Sequence, residues 1–248
     1  AWPREELALE ILGDVLIGGQ MAADEGGWVV AGGHTVDGPE PMYGMSIVGE
    51  VAPEELLTNG GGEAGQALVL TKPIGTGLLA TALKRSDPEA ISQDGSLNEV
   101  YLAGVREMTR LNSSAAKTAS RVGASAATDV TGFGLLGHLY ELASASGLSA
   151  SVETTSVPLL PGTNDLVEGG FVAGGTERNL DFLEPFLSGG SFTERLILCD
   201  AQTSGGLLFS CDASAAVDAV AELTEVGHFA AVIGELEPGD PGHIALRN

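Results

Sequence analysis

The segment Thr128-Asp129-Val130-Thr131 sets one carboxylate between two hydroxyl residues, and Gly132-Phe133-Gly134 leads from it into an apolar stretch ending at His138. A carboxylate at a strand end suits magnesium, which takes one or two protein carboxylates and completes its shell with water and phosphate oxygens. The competing assignment is structural, because Asp or Thr before a helix accepts hydrogen bonds from its orphan N–H groups. Thr131 can do that capping, which leaves Asp129 for a metal. His138 reads as a packed histidine rather than a ligand.

Four further segments carry polar chemistry. In Gly32-Gly33-His34-Thr35-Val36-Asp37 two glycines let backbone N–H groups approach an anion, and His34 and Thr35 add donors. A hairpin turn is the equal alternative there. Asp200-Ala201-Gln202-Thr203-Ser204-Gly205-Gly206 either lines a phosphate pocket, with Thr203 and Ser204 as its hydroxyls, or forms a structural turn. Gly174 to Asn179 is a polar loop in which Arg178 either meets an anion or ties the loop down. Gly75-Thr76-Gly77 imitates a dinucleotide fingerprint, but Ala80 replaces the third glycine, Pro73 sits in the loop and no acid-ended strand follows. A tight strand-to-helix turn fits better. Lys72, one of three lysines, faces either a phosphate or solvent at the strand end.

Composition narrows the chemistry. Thirty-four acids against 11 bases give a net charge of -23, which argues against nucleic acid and anionic membrane as partners. An anionic nucleotide would need metal ions to bridge it to such a surface. A hydrophobic fraction of 44% is enough for a core without staples. There is neither an 18-residue apolar run nor a basic, apolar leader at residue 1. Cys199 and Cys211 make neither a disulfide framework nor a zinc spacing, which fits a cytoplasmic location.

Pro3, Glu5 and Glu6 predict a helix start, with Leu9, Leu12 and Leu16 on its apolar side and Gly18-Gly19 as its interruption. Strands are expected at 28–31 and 42–51, followed by a boundary at Asn59-Gly60-Gly61-Gly62, where nothing can pack. Beyond it come a strand at 67–71, a helix at 77–83, a helix carrying Leu97, Tyr101, Val105 and Met108, and another from Ser114. A short strand ends at Asp129, and Phe133, Leu136 and Tyr140 share a helix stripe. Strands follow at 150–153, 206–211, 229–236 and 243–246, with a helix at 215–223. The helices cluster rather than alternate strictly with strands, which favours an α+β layered domain.

Taken in order, residues 32–41, Leu70-Thr71-Lys72-Pro73-Ile74-Gly75-Thr76-Gly77, Thr128 to His138, Gly174 to Asn179 and Gln202 to Gly206 resemble the selenophosphate synthetases (selenide, water dikinases) of the aminoimidazole ribonucleotide synthetase-like superfamily. The resemblance implies a two-domain α+β architecture: residues 1–55 a remnant of an N-terminal ATP-binding and dimerisation domain, residues 56–248 a C-terminal mixed-sheet domain. It implies selenophosphate formation from selenide and ATP with release of AMP and phosphate, magnesium as cofactor, and a homodimer. Asp129 becomes a magnesium ligand, and Gly33, His34 and Thr35 contact the nucleotide; Lys72, Thr131, Thr203 and Ser204 are pocket candidates. Ala201 stands where the family usually has proline, and Thr35-Val36 replaces Ser-Ile. The family's reactive Cys or Sec, its catalytic lysine and most of its magnesium aspartates have no counterpart here. The expectation is a truncated chain, inactive alone, with no catalytic residue named. The alternatives are a related ATP-dependent synthetase, of the purine-biosynthetic or hydrogenase-maturation type, and a non-catalytic dimerisation or binding module.

Overall fold

The computed structural model describes residues 1–92 and 95–248, which form two compact units, Ala1–Glu54 and Glu55–Asn248. In the first unit, helix α1 spans Leu9–Gly26 and ends on Gly27 in the left-handed region (φ 76°). It starts later than Pro3 because residues 3–7 close a turn of their own, with Glu6 and Leu7 N–H both donating to the Pro3 carbonyl at 2.9 Å. Nor does Gly18-Gly19 break it. Gly19 is a contact point: a Cβ there would lie 2.0 Å from the Tyr43 hydroxyl oxygen.

The expected strands at 28–31 and 42–51 form no ladder among the described residues. A strand needs a partner for its N–H and C=O groups and a face to bury, and Val29 and Val48 are 86% and 94% exposed. The segment is instead pinned at a few points. Trp2 bridges Asp37 in parallel sense, Trp2 N–H donates to the Val36 carbonyl at 2.9 Å, and Met42 N–H donates to the Ala1 carbonyl at 2.9 Å.

The second unit is built on a seven-stranded mixed sheet: β1 Ala67–Leu70, β2 Ala126–Asp129, β3 Ser149–Glu153, β4 Leu187–Gly189, β5 Leu207–Cys211, β6 Ala231–Glu237 and β7 Ile244–Arg247. Their spatial order is β2-β5-β1-β6-β3-β7-β4. The pairs from β2 to β3 are antiparallel, and β3–β7 and β7–β4 are parallel. The helices are α2 Thr76–Arg85, α3 Asn98–Thr109, α4 Ser113–Arg121, α5 Gly134–Ala145, α6 Thr163–Glu168, α7 Gly174–Leu183, α8 Phe192–Leu198 and α9 Ala213–Glu225. This is the expected α+β class. Among the described residues no helix is long and apolar enough to cross a membrane.

Strand β1 is apolar throughout because both of its faces are covered. Alternation sends Leu68 and Leu70 into a large core with α2, α5, α6, α7 and α8, and Ala67 and Val69 into a smaller one with α4 and α9. Ala115, Ala119, Ala216 and Ala219 line the smaller core, and these short side chains let α4 and α9 lie close to the sheet. The glycine run 60–62 is not an unpacked boundary. Gly62 N–H donates to Ser146 Oγ at 3.0 Å, and a Cβ on Gly60 would lie 2.9 Å from the Ala145 carbonyl oxygen.

Candidate functional site

The Thr128 and Gln202 blocks, remote in sequence, meet at one end of the sheet. Asp129 is in register with Leu207, where β5 begins. The lacing continues past the strands: Val130 N–H donates to the Gly206 carbonyl at 2.8 Å and Gln202 N–H to the Thr131 carbonyl at 2.9 Å. Thr71, just after β1, joins from the other side, its N–H donating to the Leu207 carbonyl at 3.0 Å and its hydroxyl accepting from Leu207 N–H at 2.8 Å. Side chains are excluded at Gly205 and Gly206, where a Cβ would come within 2.1 Å of the Val130 carbonyl oxygen and 2.6 Å of the Lys72 nitrogen.

Asp129 is exposed, and its carboxylate accepts no hydrogen bond among the described residues. It is not an N-cap. Thr131 does not cap either: α5 begins without a side-chain cap, and the Thr131 hydroxyl lies 3.1 Å from His138 Nε2. His138 is buried, and burial lowers its pKa against the opposing pull of Asp129, so it sits as a neutral packed ring. Phe133 is exposed rather than part of the buried stripe. No group of three or more His, Cys, Asp or Glu gathers for a metal among the described residues. An unpartnered exposed carboxylate at a strand end fits magnesium as one ligand among several, with phosphate and water as the others.

Beside it lies a buried polar knot. Gln202 Oε1 accepts from Gly75 N–H at 3.0 Å, Thr76 N–H at 3.2 Å and Thr76 Oγ at 3.0 Å. Asp200 accepts from Gly77 and Leu78 N–H at 3.0 and 3.2 Å, from Thr176 Oγ at 3.2 Å and from Gln202 Nε2 at 2.9 Å. The chain's own carboxylate and amide thus occupy the N-terminus of α2, where an anion would otherwise be favoured. Gly75-Thr76-Gly77 is the tight packing turn expected, since a Cβ on Gly77 would lie 2.3 Å from the Ala201 carbonyl oxygen. Burial raises the Asp200 carboxyl to about 6, although all four donors favour the anion. Sequence reasoning placed Asp200 and Gln202 in a segment that lines a pocket or forms a turn, but did not assign them to the α2 terminus. The available signal was a carboxylate and an amide directly after the apolar run 196–199.

Lys72 is corrected by the structure. It is 1% exposed and reaches neither phosphate nor solvent. Its ammonium donates to the carbonyls of Glu107 at 3.0 Å, Arg110 at 2.6 Å and Ser204 at 2.9 Å, which uses all three of its protons. Two of these carbonyls belong to the C-terminal end of α3, the negative end of its dipole. Burial lowers the Lys72 pKa to about 8, with the Glu107 carboxylate opposing. Ser204 holds a positive φ of 51°, a conformation that costs a non-glycine residue about 1–2 kcal/mol. Thr203 and Ser204 are exposed beside this anchor.

Residues 174–179 form the first turns of α7, not a loop. Arg178 is exposed, and Asn179 is the tie, its Nδ2 donating to the carbonyls of Gly132 at 2.9 Å and Cys199 at 3.1 Å. Cys199 and Cys211 are buried free thiols, and burial pushes the Cys199 pKa up to about 12, so it is inert. Within the first unit, exposed Gly33, His34 and Thr35 line an open cleft of about 970 Å³ with Leu12, Leu16 and Trp28.

The fold of the second unit has known counterparts. The family described as AIR synthase related protein, C-terminal domain, matches residues 63–246, which sets the class of the second unit. Solved structures share the fold. A thiamine-monophosphate kinase from Stenotrophomonas maltophilia aligns over 79% of this chain and 54% of its own, at 18% identity and a TM-score of 0.51. The hydrogenase maturation protein HypE from E. coli aligns over 77% and 48%, at 17% identity and a TM-score of 0.51. Among curated relatives, a selenide, water dikinase of Porphyromonas gingivalis is 45% identical over 94% of this chain. One from Shewanella sp. is 41% identical over 99% of this chain and 68% of its own length. The chain belongs to the selenide, water dikinase family. It spans 66% of the length of the Porphyromonas relative, about two thirds.

Proposed function

We propose that this chain forms part of an ATP-dependent enzyme that converts selenide, ATP and water to selenophosphate, AMP and phosphate. The observation that carries the reading is the unpartnered Asp129 carboxylate at the laced ends of β2 and β5, in a chain 45% identical to a selenide, water dikinase. In this reading Asp129 holds one magnesium ion, which supplies charge neutralisation at the phosphate oxygens. The exposed hydroxyls of Thr203 and Ser204 donate to those oxygens at the same rim. Thr131, engaged with His138, orients the turn that follows Asp129. Gly33, His34 and Thr35 contact the nucleotide held mainly by a neighbouring copy, and residues 1–55 are a remnant of the ATP-binding and dimerisation domain. The protein works in the cytoplasm as a homodimer. Exposed Leu9, Ile17, Met21, Val29 and Val48, all in the first unit, support the pairing, since burying large apolar side chains favours association.

The test, on the full-length enzyme of which this chain forms part, is AMP formation from Mg–ATP with selenide as acceptor, set beside ADP formation with thiamine monophosphate and with a carboxamide. Selenide-dependent AMP supports the reading. Turnover with either other acceptor and none with selenide moves the chain to a related synthetase. Sedimentation equilibrium checks the homodimer, and a monomer throughout the micromolar range counts against it.

A further inference from the structure

The turn that carries Thr203 and Ser204 is gripped from beneath at two consecutive carbonyls. Lys72 Nζ donates to the Ser204 carbonyl at 2.9 Å and Asn112 Nδ2 to the Gly205 carbonyl at 2.9 Å. Both grips lead back to the end of α3, since Lys72 also binds the Glu107 and Arg110 carbonyls. The surroundings are charged and buried. Glu107 is 2% exposed, its Oε2 accepts from Arg110 Nε at 3.2 Å, and Arg106 Nε lies 3.6 Å from its Oε1. His228 closes the cluster, with Nδ1 3.2 Å from the Thr71 carbonyl and Nε2 2.7 Å from Ser114 Oγ. Burying an ion pair is a poor way to stabilise a core, because apolar residues of equal volume often do better. A buried ammonium whose three protons all go to backbone carbonyls holds those carbonyls in place. Here it holds an exposed serine in a left-handed conformation.

We propose that Lys72 is a positioning residue for the nucleotide site: its buried ammonium fixes the Thr203–Ser204 turn to the end of α3, so that both hydroxyls are presented at the strand ends that carry Asp129. The role rests on the reading that this rim receives phosphate oxygens. Lys72 touches no substrate; it acts through the Ser204 carbonyl. Met at this position keeps the stem and removes all three donors.

The experiment compares, in the full-length enzyme of which this chain forms part, wild type, Lys72→Met and Leu223→Ala, a cavity variant in the smaller core on α9. Readouts are Mg–ATP affinity by calorimetry, KM and kcat for ATP, thermal unfolding, and amide exchange at residues 203–206. Lys72→Met is expected to weaken Mg–ATP binding and raise the KM for ATP at least tenfold, with kcat within threefold and turn exchange at least tenfold faster. Leu223→Ala is expected to lower the unfolding temperature while leaving KM within twofold. Equal KM shifts in both variants would show a general stability effect and overturn the role. So would an unchanged KM in Lys72→Met. Where Lys72→Met does not fold, Asn112→Ala loosens the second grip and is expected to raise the KM in the same way; an unchanged value again overturns the proposal. A wild type that binds no Mg–ATP overturns the functional reading and this role together, whereas binding that Lys72→Met retains in full overturns only the role of Lys72.

Discussion

Asp129 and Asp200 are two aspartates with opposite surroundings, and their chemistry follows from that difference. Asp129 is exposed and unpartnered, so Asp129→Asn is expected to leave stability within about 0.5 kcal/mol. The same change should weaken Mg-dependent ATP binding at least tenfold, measured by calorimetry beside denaturant unfolding. Retained binding would remove Asp129 from the site. Asp200 is fully buried with its carboxyl raised to about 6 from an ordinary 3.8. A raised acid binds its proton more tightly in the folded state, so folding gains stability as pH falls through 6 towards 3.8. Against Asp200→Asn, which does not titrate there, the wild type should gain up to about 3 kcal/mol between pH 7 and pH 4. Urea titrations across that range check the sign; a gap that stays flat or narrows towards acid is the contrary result.

At the scale of elements, two helix starts are capped in different ways, and the cost of losing each should differ. Helix α8 carries an exposed capping box, with the Ser191 hydroxyl accepting from Glu194 N–H at 3.3 Å and the Glu194 carboxylate accepting from Ser191 N–H at 2.7 Å. Ser191→Ala should cost about 1 kcal/mol. Helix α2 is capped from 126 residues away by buried Gln202, whose Oε1 takes three donors. Gln202→Ala strands those donors out of water and should cost about 3 kcal/mol. Chemical denaturation of the two variants tests the ranking, and equal losses would mean that water reaches the α2 terminus. The local cap has a sequence signature, Ser-Phe-Thr-Glu, although no helix was expected there. The remote one has none, because no local spacing links Gln202 to Gly75. The short α6 and β4 carried too few residues for periodicity to register.

For the whole molecule the net charge of -23 dominates, and self-repulsion opposes compactness. Added salt shortens the screening length from about 30 Å at 0.01 M to about 8 Å at 0.15 M. The melting temperature at pH 7 should therefore rise by roughly 3–6 °C over that range, on the order of 1 kcal/mol or more. A melt that does not move would mean the acids are already locally compensated. The sequence by itself determined the helices and strands of the second unit that are long and periodic, the α+β class and the candidate status of Asp129. Those features follow from local spacing, composition and burial of apolar stripes. It was unreliable where an element depends on a partner, so residues 28–31 and 42–51 read as strands but carry no ladder, and glycines at 18–19 and 60–62 read as breaks but serve as contacts. Only the tertiary structure decided that β2 and β5 join Asp129 to the Gln202 block, that Asp200 and Gln202 fill the α2 terminus, and that Lys72 is buried under the Ser204 turn. Each of these is a pairing of groups far apart in the chain, and the physical reason is the same for all: a hydrogen-bond donor or charge leaves no mark in the sequence of where its partner lies.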